Sequence, residues 1–251
     1  MSEKTAKVLI GTAIWNEGEK FRRLADKMAA FLAEPQAAAA VSCQFLVVDD
    51  GSDDGVAAKL RERYPFLWEF HQVNRGAGAA VRTIYRKARE QGCTIAVTIA
   101  GNGKDDPAEI PRLVRPILEQ GYDLVQGSRY LEGGAYAGMP QYRIFATRYL
   151  HPKLLSWFTG KTMTDSTNGF RALRLQVLED HRIQLEQDWL DRYELEPYLL
   201  YQALSLGYRV LEVPVKKVYP ERGAGYTKMK PLSGWWSILR PLLLLRLGLR
   251  Q

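Results

Sequence analysis

The sequence predicts an α/β fold: a mostly parallel, Rossmann-like central sheet flanked by helices and followed by a C-terminal amphipathic helical tail. Three observations lead there. Apolar runs alternate with amphipathic helical stretches through roughly the first half of the chain, as repeated βαβ units require. Five consecutive predicted strands each end in a polar cluster, at the edge where parallel sheets bind ligands. The 251 residues, 46% hydrophobic and 25% charged, suit one globular domain with a full core.

The elements follow in order. Val8 to Ile14 reads as a buried strand. Glu17 to Leu32 has helical spacing, with Phe21, Leu24, Met28 and Phe31 on one face. Pro35 to Ala40 reads as a surface loop before a strand at Phe45 to Val48. Asp53 is placed to cap a helix reaching Tyr64. Trp68 to Val73 is a third strand, Gly76 to Gln91 a helix, and Thr94 to Ile99 a fourth strand. Pro107 opens a helix, since the first turn tolerates a missing N–H. Leu124 to Gln126 is a fifth strand. Beyond it come helices at Gln141 to Trp157 and Leu195 to Leu206, a strand at Tyr208 to Val215, and a basic glycine-rich loop at Gly223 to Pro231. The domain division is 1–231, with an apolar, arginine-studded tail at 232–251.

A net charge of +7 calls for an anionic partner without choosing it. No nucleic-acid motif appears, so no nucleic-acid partner is expected. Cys43 and Cys93 form neither a disulfide framework nor zinc spacing, which fits a reducing compartment. His71, His151 and His181 are far apart and read as surface or packing residues. Met1 to Lys7 lacks the apolar core of a secretory signal, and no run reaches a membrane span of about 18 apolar residues. The expected location is therefore cytoplasmic, peripheral at the membrane face.

The five clusters are Trp15-Asn16-Glu17, Asp49-Asp50-Gly51-Ser52-Asp53-Asp54-Gly55, Asn74-Arg75-Gly76-Ala77-Gly78, Gly101-Asn102-Gly103-Lys104-Asp105-Asp106-Pro107, and Gly127-Ser128-Arg129-Tyr130. One Asp-Gly-Ser alone would be a capped turn. Five in succession suggest a nucleotide cleft. Carboxylates such as Glu17 and Asp50 accept hydrogen bonds from a base N–H and ribose hydroxyls. Gly76 and Gly78 let a backbone approach a phosphate at a helix entry, although close helix–strand packing explains the same pair equally well.

The constellation resembles family 2 glycosyltransferases of the GT-A fold, in particular the dolichyl/polyprenyl-phosphate sugar synthase branch. The likeness runs from Ile10 to about Lys228. It is carried by Ala13-Ile14-Trp15-Asn16-Glu17, by Val48-Asp49-Asp50-Gly51-Ser52-x-Asp54-Gly55, and by Asn74-Arg75-Gly76-Ala77-Gly78. Gly127-Ser128-Arg129, Asp165-Ser166-Thr167-Asn168-Gly169-Phe170-Arg171 and the run from Gly207 to Val215 also match. The resemblance implies a nucleotide-sugar donor and a lipid-linked phosphate acceptor. It implies nucleotide binding by Glu17, Asp50, Ser52, Gly78 and Asn102, and places Asp165 near the sugar. Arg129, Arg143 and Thr147 fall at acceptor-phosphate positions, and Arg222 and Lys228 in a loop that closes over phosphates. Arginine suits that role because its planar fork binds phosphate through two hydrogen bonds.

One departure matters. The family's metal-binding Asp-x-Asp aligns with Ala100-Gly101-Asn102, and the residue two positions on is Lys104. A hard divalent cation needs carboxylate oxygens. Three readings stand. Lys104 replaces Mg²⁺ or Mn²⁺ as a fixed cation; Asp105 or Asp106 re-forms a shifted metal site; or the protein binds without catalysing. The first is preferred, with Asp106 more simply a helix cap. The expected reaction is an inverting displacement, with Asp165, Lys104 and Arg129 as the catalytic set. With a sugar-hydroxyl acceptor, Asp165 would be the base. The tail from Trp235 to Arg250, with Lys216, Lys217 and the basic loop, could lie on a membrane surface; a helix packed on the core is the equal alternative. A nucleotidyltransferase on a related fold is the remaining rival.

Overall fold

The computed structural model describes residues 6–34, 41–219 and 231–250. The Pro35 to Ala40 loop, Arg222, Lys228 and most of the basic loop fall outside them.

The chain runs β1 (Ala6–Ile14), α1 (Glu19–Ala33), β2 (Val41–Asp49), α2 (Val56–Arg63), β3 (Leu67–Phe70), α3 (Ala77–Glu90) and β4 (Ile95–Thr98). A 3₁₀ turn at Pro107–Glu109 leads into α4 (Ile110–Gln120), then β5 (Leu124–Ser128) and the short β6 (Ala135–Ala137). The next helix comes in three joined pieces: α5 (Gln141–Phe145), a π-helical turn at Ala146–Leu150, and α6 (His151–Thr159). There follow β7 (Arg171–Arg174), α7 (Leu195–Ser205), β8 (Val210–Pro214), β9 (Lys216–Val218) and α8 (Pro231–Arg246).

Seven strands form the main sheet in the order β3-β2-β1-β4-β7-β5-β8, and β6 pairs with β9 in a small second sheet. All seven run parallel except β7, which is antiparallel to both β4 and β5. The mostly parallel sheet with flanking helices is therefore as expected. β6, β7 and β9, each of three or four residues, were too short to show as apolar runs.

Alternation along the strands builds two cores. Leu9, Leu46, Val48 and Ala96 face a layer containing Ile84 of α3 and Leu199 of α7. Val8, Ile10, Val47 and Val97 face Phe21, Leu24 and Met28 of α1 and Leu113 of α4. The predicted α1 stripe is thus the buried one, and each such side chain contributes about 1.5–3 kcal/mol by leaving water. Asp53 does not cap α2: Asp54 accepts from Val56 N at 3.0 Å, while Asp53 is held by Asn16. Asp106 does cap the turn at Pro107, accepting from Ala108 N at 3.1 Å.

The tail is the helix α8. Leu242 enters the core, Ile238 is buried beside it, and Arg240 pairs with Glu194 at 2.7 Å. His151 joins α6 to this helix, with Nδ1 on Ser166 Oγ (2.7 Å) and Nε2 on Ile238 O (3.2 Å). Burial pushes its pKa down to about 4, so the ring is a neutral internal bridge. Among the described residues, no helix is long and apolar enough to cross a membrane.

Candidate active site

The carboxyl ends of β1, β2, β4, β5 and β8 share one edge of the sheet. Because β7 runs in reverse, its lead-in, residues 165–170, reaches that same edge. Sheet direction therefore gathers loops that are far apart in sequence.

At one end, the loops after β1 and β2 are laced together. Asn16 adopts φ 49°, a left-handed conformation that asparagine tolerates better than most residues. Its Oδ1 accepts from Asp53 N (2.9 Å) and Asp54 N (3.3 Å), and its own N–H donates to Ser52 Oγ (2.9 Å). Asp49 closes the second loop by accepting from Ser52 N. Ser52 is therefore tied to Asn16, the residue before Glu17.

Asp50 does something different from what was expected. Its buried carboxylate accepts from Arg75 N (2.9 Å) and Gly76 N (2.8 Å) and meets His71 Nδ1 at 2.7 Å. His71 Nε2 continues to Thr83 Oγ1 at 3.0 Å. Both Asp50 oxygens are engaged from within, Oδ1 by two groups and Oδ2 by one, so the carboxylate shapes the loop after β3. Gly78 also departs from the nucleotide role. Its N–H donates to Arg192 O at 2.6 Å, and an added Cβ would lie 1.9 Å from Leu190 O. Gly76 and Gly78 admit the 188–194 segment to the start of α3: the packing alternative holds.

The loop after β4 carries Lys104, 7% exposed. Burial, then the fields of Lys217 and Arg143, push its pKa down to about 7, against the pull of Glu17 and Asp105. Its Nζ lies 4.5 Å from the Tyr219 ring centroid. Asn102, half-buried, accepts from Lys104 N of the same loop at 3.4 Å.

The acidic residues here do not fit a divalent cation. Lys217 Nζ takes both Asp105 oxygens (2.7 and 2.9 Å) and also Asn168 Oδ1 (2.9 Å). Asp105 is 1% exposed, and Asp106 is committed to its cap. An ammonium fills the carboxylate on which a cation would depend. Among the described residues no group of three His, Cys, Asp or Glu is arranged to hold a metal. Lys217, expected on a membrane face, is buried here, because the alternation of β9 turns Lys216 out and Lys217 in.

Arg129 and Asp165 find each other. Arg129 Nε donates to Asp165 Oδ2 at 2.6 Å and Nη2 to Oδ1 at 2.7 Å. The guanidinium also donates to Thr167 Oγ1, Met139 Sδ and Tyr219 Oη and lies over the Tyr130 ring. Burial works against this charge, but the Asp165 field overrides it and holds Arg129 protonated. Glu212 fixes the same loop by accepting from Thr164 N and Asp165 N, both at 2.7 Å. Asp165, fully buried and clamped by a permanent cation, is therefore not placed as a general base. Arg129 turns its fork to Asp165 rather than toward an acceptor phosphate.

Arg143 does reach the cleft. Its Cζ lies 5.6 Å from the Tyr219 centroid. Thr147 is buried below it, donating to Arg143 O at 2.8 Å and bonded to the Tyr130 hydroxyl. Burial raises the Tyr193 pKa; Arg192 and Arg143 oppose the shift, and Glu17 adds to it. Glu17, Lys104, Arg143 and Tyr193 thus occupy one neighbourhood. Sequence reasoning missed Tyr193 and Tyr219, and gave Lys217 a membrane role in place of its buried one. Only Glu212 lay in a quoted motif.

A parallel α/β sheet with one reversed strand and polar loops gathered along its carboxyl edge defines a GT-A glycosyltransferase fold. The chain covers 98% of its own length and 81% of glucosyl-3-phosphoglycerate synthase from Mycobacterium tuberculosis, with TM-score 0.66 at 19% identity. The pattern described as glycosyl transferase family 2 matches residues 15–182. Similar proteins include a polyprenol monophosphomannose synthase of Mycolicibacterium smegmatis, 31% identical over 73% of this chain and 69% of that one. An undecaprenyl-phosphate mannosyltransferase of Micrococcus luteus is 31% identical over 73% and 74%. The chain belongs to glycosyl transferase family 2.

Proposed function

We propose that the chain transfers a sugar from a nucleotide-sugar donor to a polyprenyl phosphate, with inversion, and with Lys104 as a fixed cation in place of a metal. The observation that carries this reading is the pairing of Lys104 and Arg143 over Tyr219, with Glu17 in the same field. A phosphate acceptor is already ionised near neutral pH, so its attack on the anomeric carbon needs no general base. What the chain must supply is alignment and charge for the departing diphosphate. Lys104 is suited to that second task, Arg143 to gripping the acceptor. Glu17, with the Asn16–Ser52 lacing beside it, is suited to the nucleoside. Arg129 and Asp165 act beneath, as a buried frame. The two mannosyltransferase relatives, by their names, use lipid phosphates, which supports the acceptor class.

Membrane contact at the cytoplasmic face belongs to the same proposal, on a surface other than the tail alone. Tyr142, Phe145, Tyr149, Leu150 and Trp157 are exposed on the broken helix, interleaved with Arg148 and Lys153. Aromatic rings beside cations suit an anionic headgroup layer.

The test is transfer from labelled UDP- and GDP-sugars to a short polyprenyl phosphate in excess EDTA. Product is expected despite the chelator. Product only after Mn²⁺ or Mg²⁺ is restored sinks the Lys104 assignment. Tight nucleotide binding without product from any donor makes the protein a binding module.

A further inference from the structure

Tyr219 follows β9 and lay in no motif. Three cationic side chains from three separate parts of the chain converge on this one ring, which is 5% exposed. Lys104, from the loop after β4, and Arg143, from α5, approach its face at 4.5 and 5.6 Å. Arg129, from the end of β5, donates from Nη1 to its hydroxyl at 3.0 Å. The ring is anchored from behind. Tyr219 N donates to Ala137 O at 2.9 Å, and Val218 N donates to Lys104 O at 3.0 Å. The peptide that carries the ring is thus bonded to the loop that carries the lysine. Two like charges repel, yet an aromatic face attracts each of them. A shared ring therefore brings together cations that would otherwise separate.

We propose that Tyr219 is a positioning residue for the transfer: its ring holds the Lys104 ammonium and the Arg143 guanidinium at one point, so that the departing diphosphate and the incoming phosphate meet there. This rests on the reading that sugar passes between two phosphates. The step balances without added reagents. An acceptor phosphate oxygen forms a bond to the anomeric carbon, the bond from that carbon to the donor diphosphate breaks, and its electron pair leaves on the diphosphate. No proton need move.

The two cations at the ring give separable readouts. Lys104 faces Glu17 from the first loop, Asp105 from its own loop, Arg143 from α5 and Lys217 from β9. Tyr219→Leu removes the ring's attraction and leaves those four groups in place. The alkaline limb of UDP or GDP affinity should then move down by about half a pH unit or more. KM for the polyprenyl phosphate should rise about five-fold or more, while kcat at saturation falls less. Tyr219→Phe keeps the ring and loses only the acceptor for Arg129, so it should restore both readouts most of the way. Tyr219→Met, which fills similar space without an aromatic face, is the second variant should the leucine form fail to fold. A leucine or methionine variant with the wild-type limb and acceptor KM overturns the inference. So does a phenylalanine variant as impaired as the leucine one, which would assign the effect to the hydroxyl. A wild-type protein with no alkaline limb and no turnover instead overturns the parent reading of Lys104.

Discussion

Lys104 is a lysine whose charge is held back by its surroundings until an anion arrives. In the free protein its pKa is pushed down to about 7 from an ordinary 10.5. A bound diphosphate adds two negative charges beside it and should return the pKa toward the ordinary range. Binding at pH 8 must then take up most of a proton. Between pH 7 and pH 9 the protonated fraction of the free form falls about fifty-fold. Affinity should fall with it by up to about 2.3 kcal/mol, at 1.36 kcal/mol per tenfold change. Titration calorimetry of UDP or GDP with EDTA present, in two buffers of different ionisation enthalpy, reads the proton directly. The stability consequence has a definite sign. The folded pKa lies below the unfolded one, so the unfolded chain holds more protons between pH 7 and 10.5, and this residue's contribution to stability rises with pH across that window. Lys104→Met removes the buried charge. It should raise the melting temperature near pH 6.5 while abolishing both proton uptake and the pH slope. Flat affinity from pH 7 to 9, or unchanged proton uptake in Lys104→Met, would refute the reasoning.

Three further outcomes follow from the packing. Arg129→Ala leaves Asp165 buried without its cation and should cost about 3–5 kcal/mol of folding stability; a variant that melts like the parent and loses only acceptor affinity would return Arg129 to the phosphate. Gly78→Ala sets a methyl group 1.9 Å from Leu190 O, so it should lower denaturant stability by several kcal/mol. A stable Gly78→Ala protein with weakened nucleotide binding would contradict the packing role. Phe145→Glu with Trp157→Glu should cut co-sedimentation with phosphatidylglycerol vesicles about ten-fold or more at unchanged melting temperature, and equal vesicle binding by parent and variant would remove the broken helix from the membrane proposal.

Much of the scaffold was legible in the residues. The α1 stripe of Phe21, Leu24 and Met28 and the apolar β1 and β2 report their own burial, because periodicity is a local property. So did the loops at the strand ends, since a parallel sheet puts them on one edge wherever its helices lie. Asp106 before Pro107 announced its cap for the same reason. Partner choice among charged side chains was not legible. Asp165 and Arg129 stand 36 residues apart, Asp105 and Lys217 112 apart, and each could have faced a ligand. The tertiary structure decided that these pairs satisfy one another, that Asp50 serves the backbone of a neighbouring loop, and that Gly78 makes room for residues 190–192. The reason is desolvation: a charge drawn into the interior must find its counter-charge there, and which one lies within reach depends on how reversed β7 and the strands after it return to the edge of the sheet.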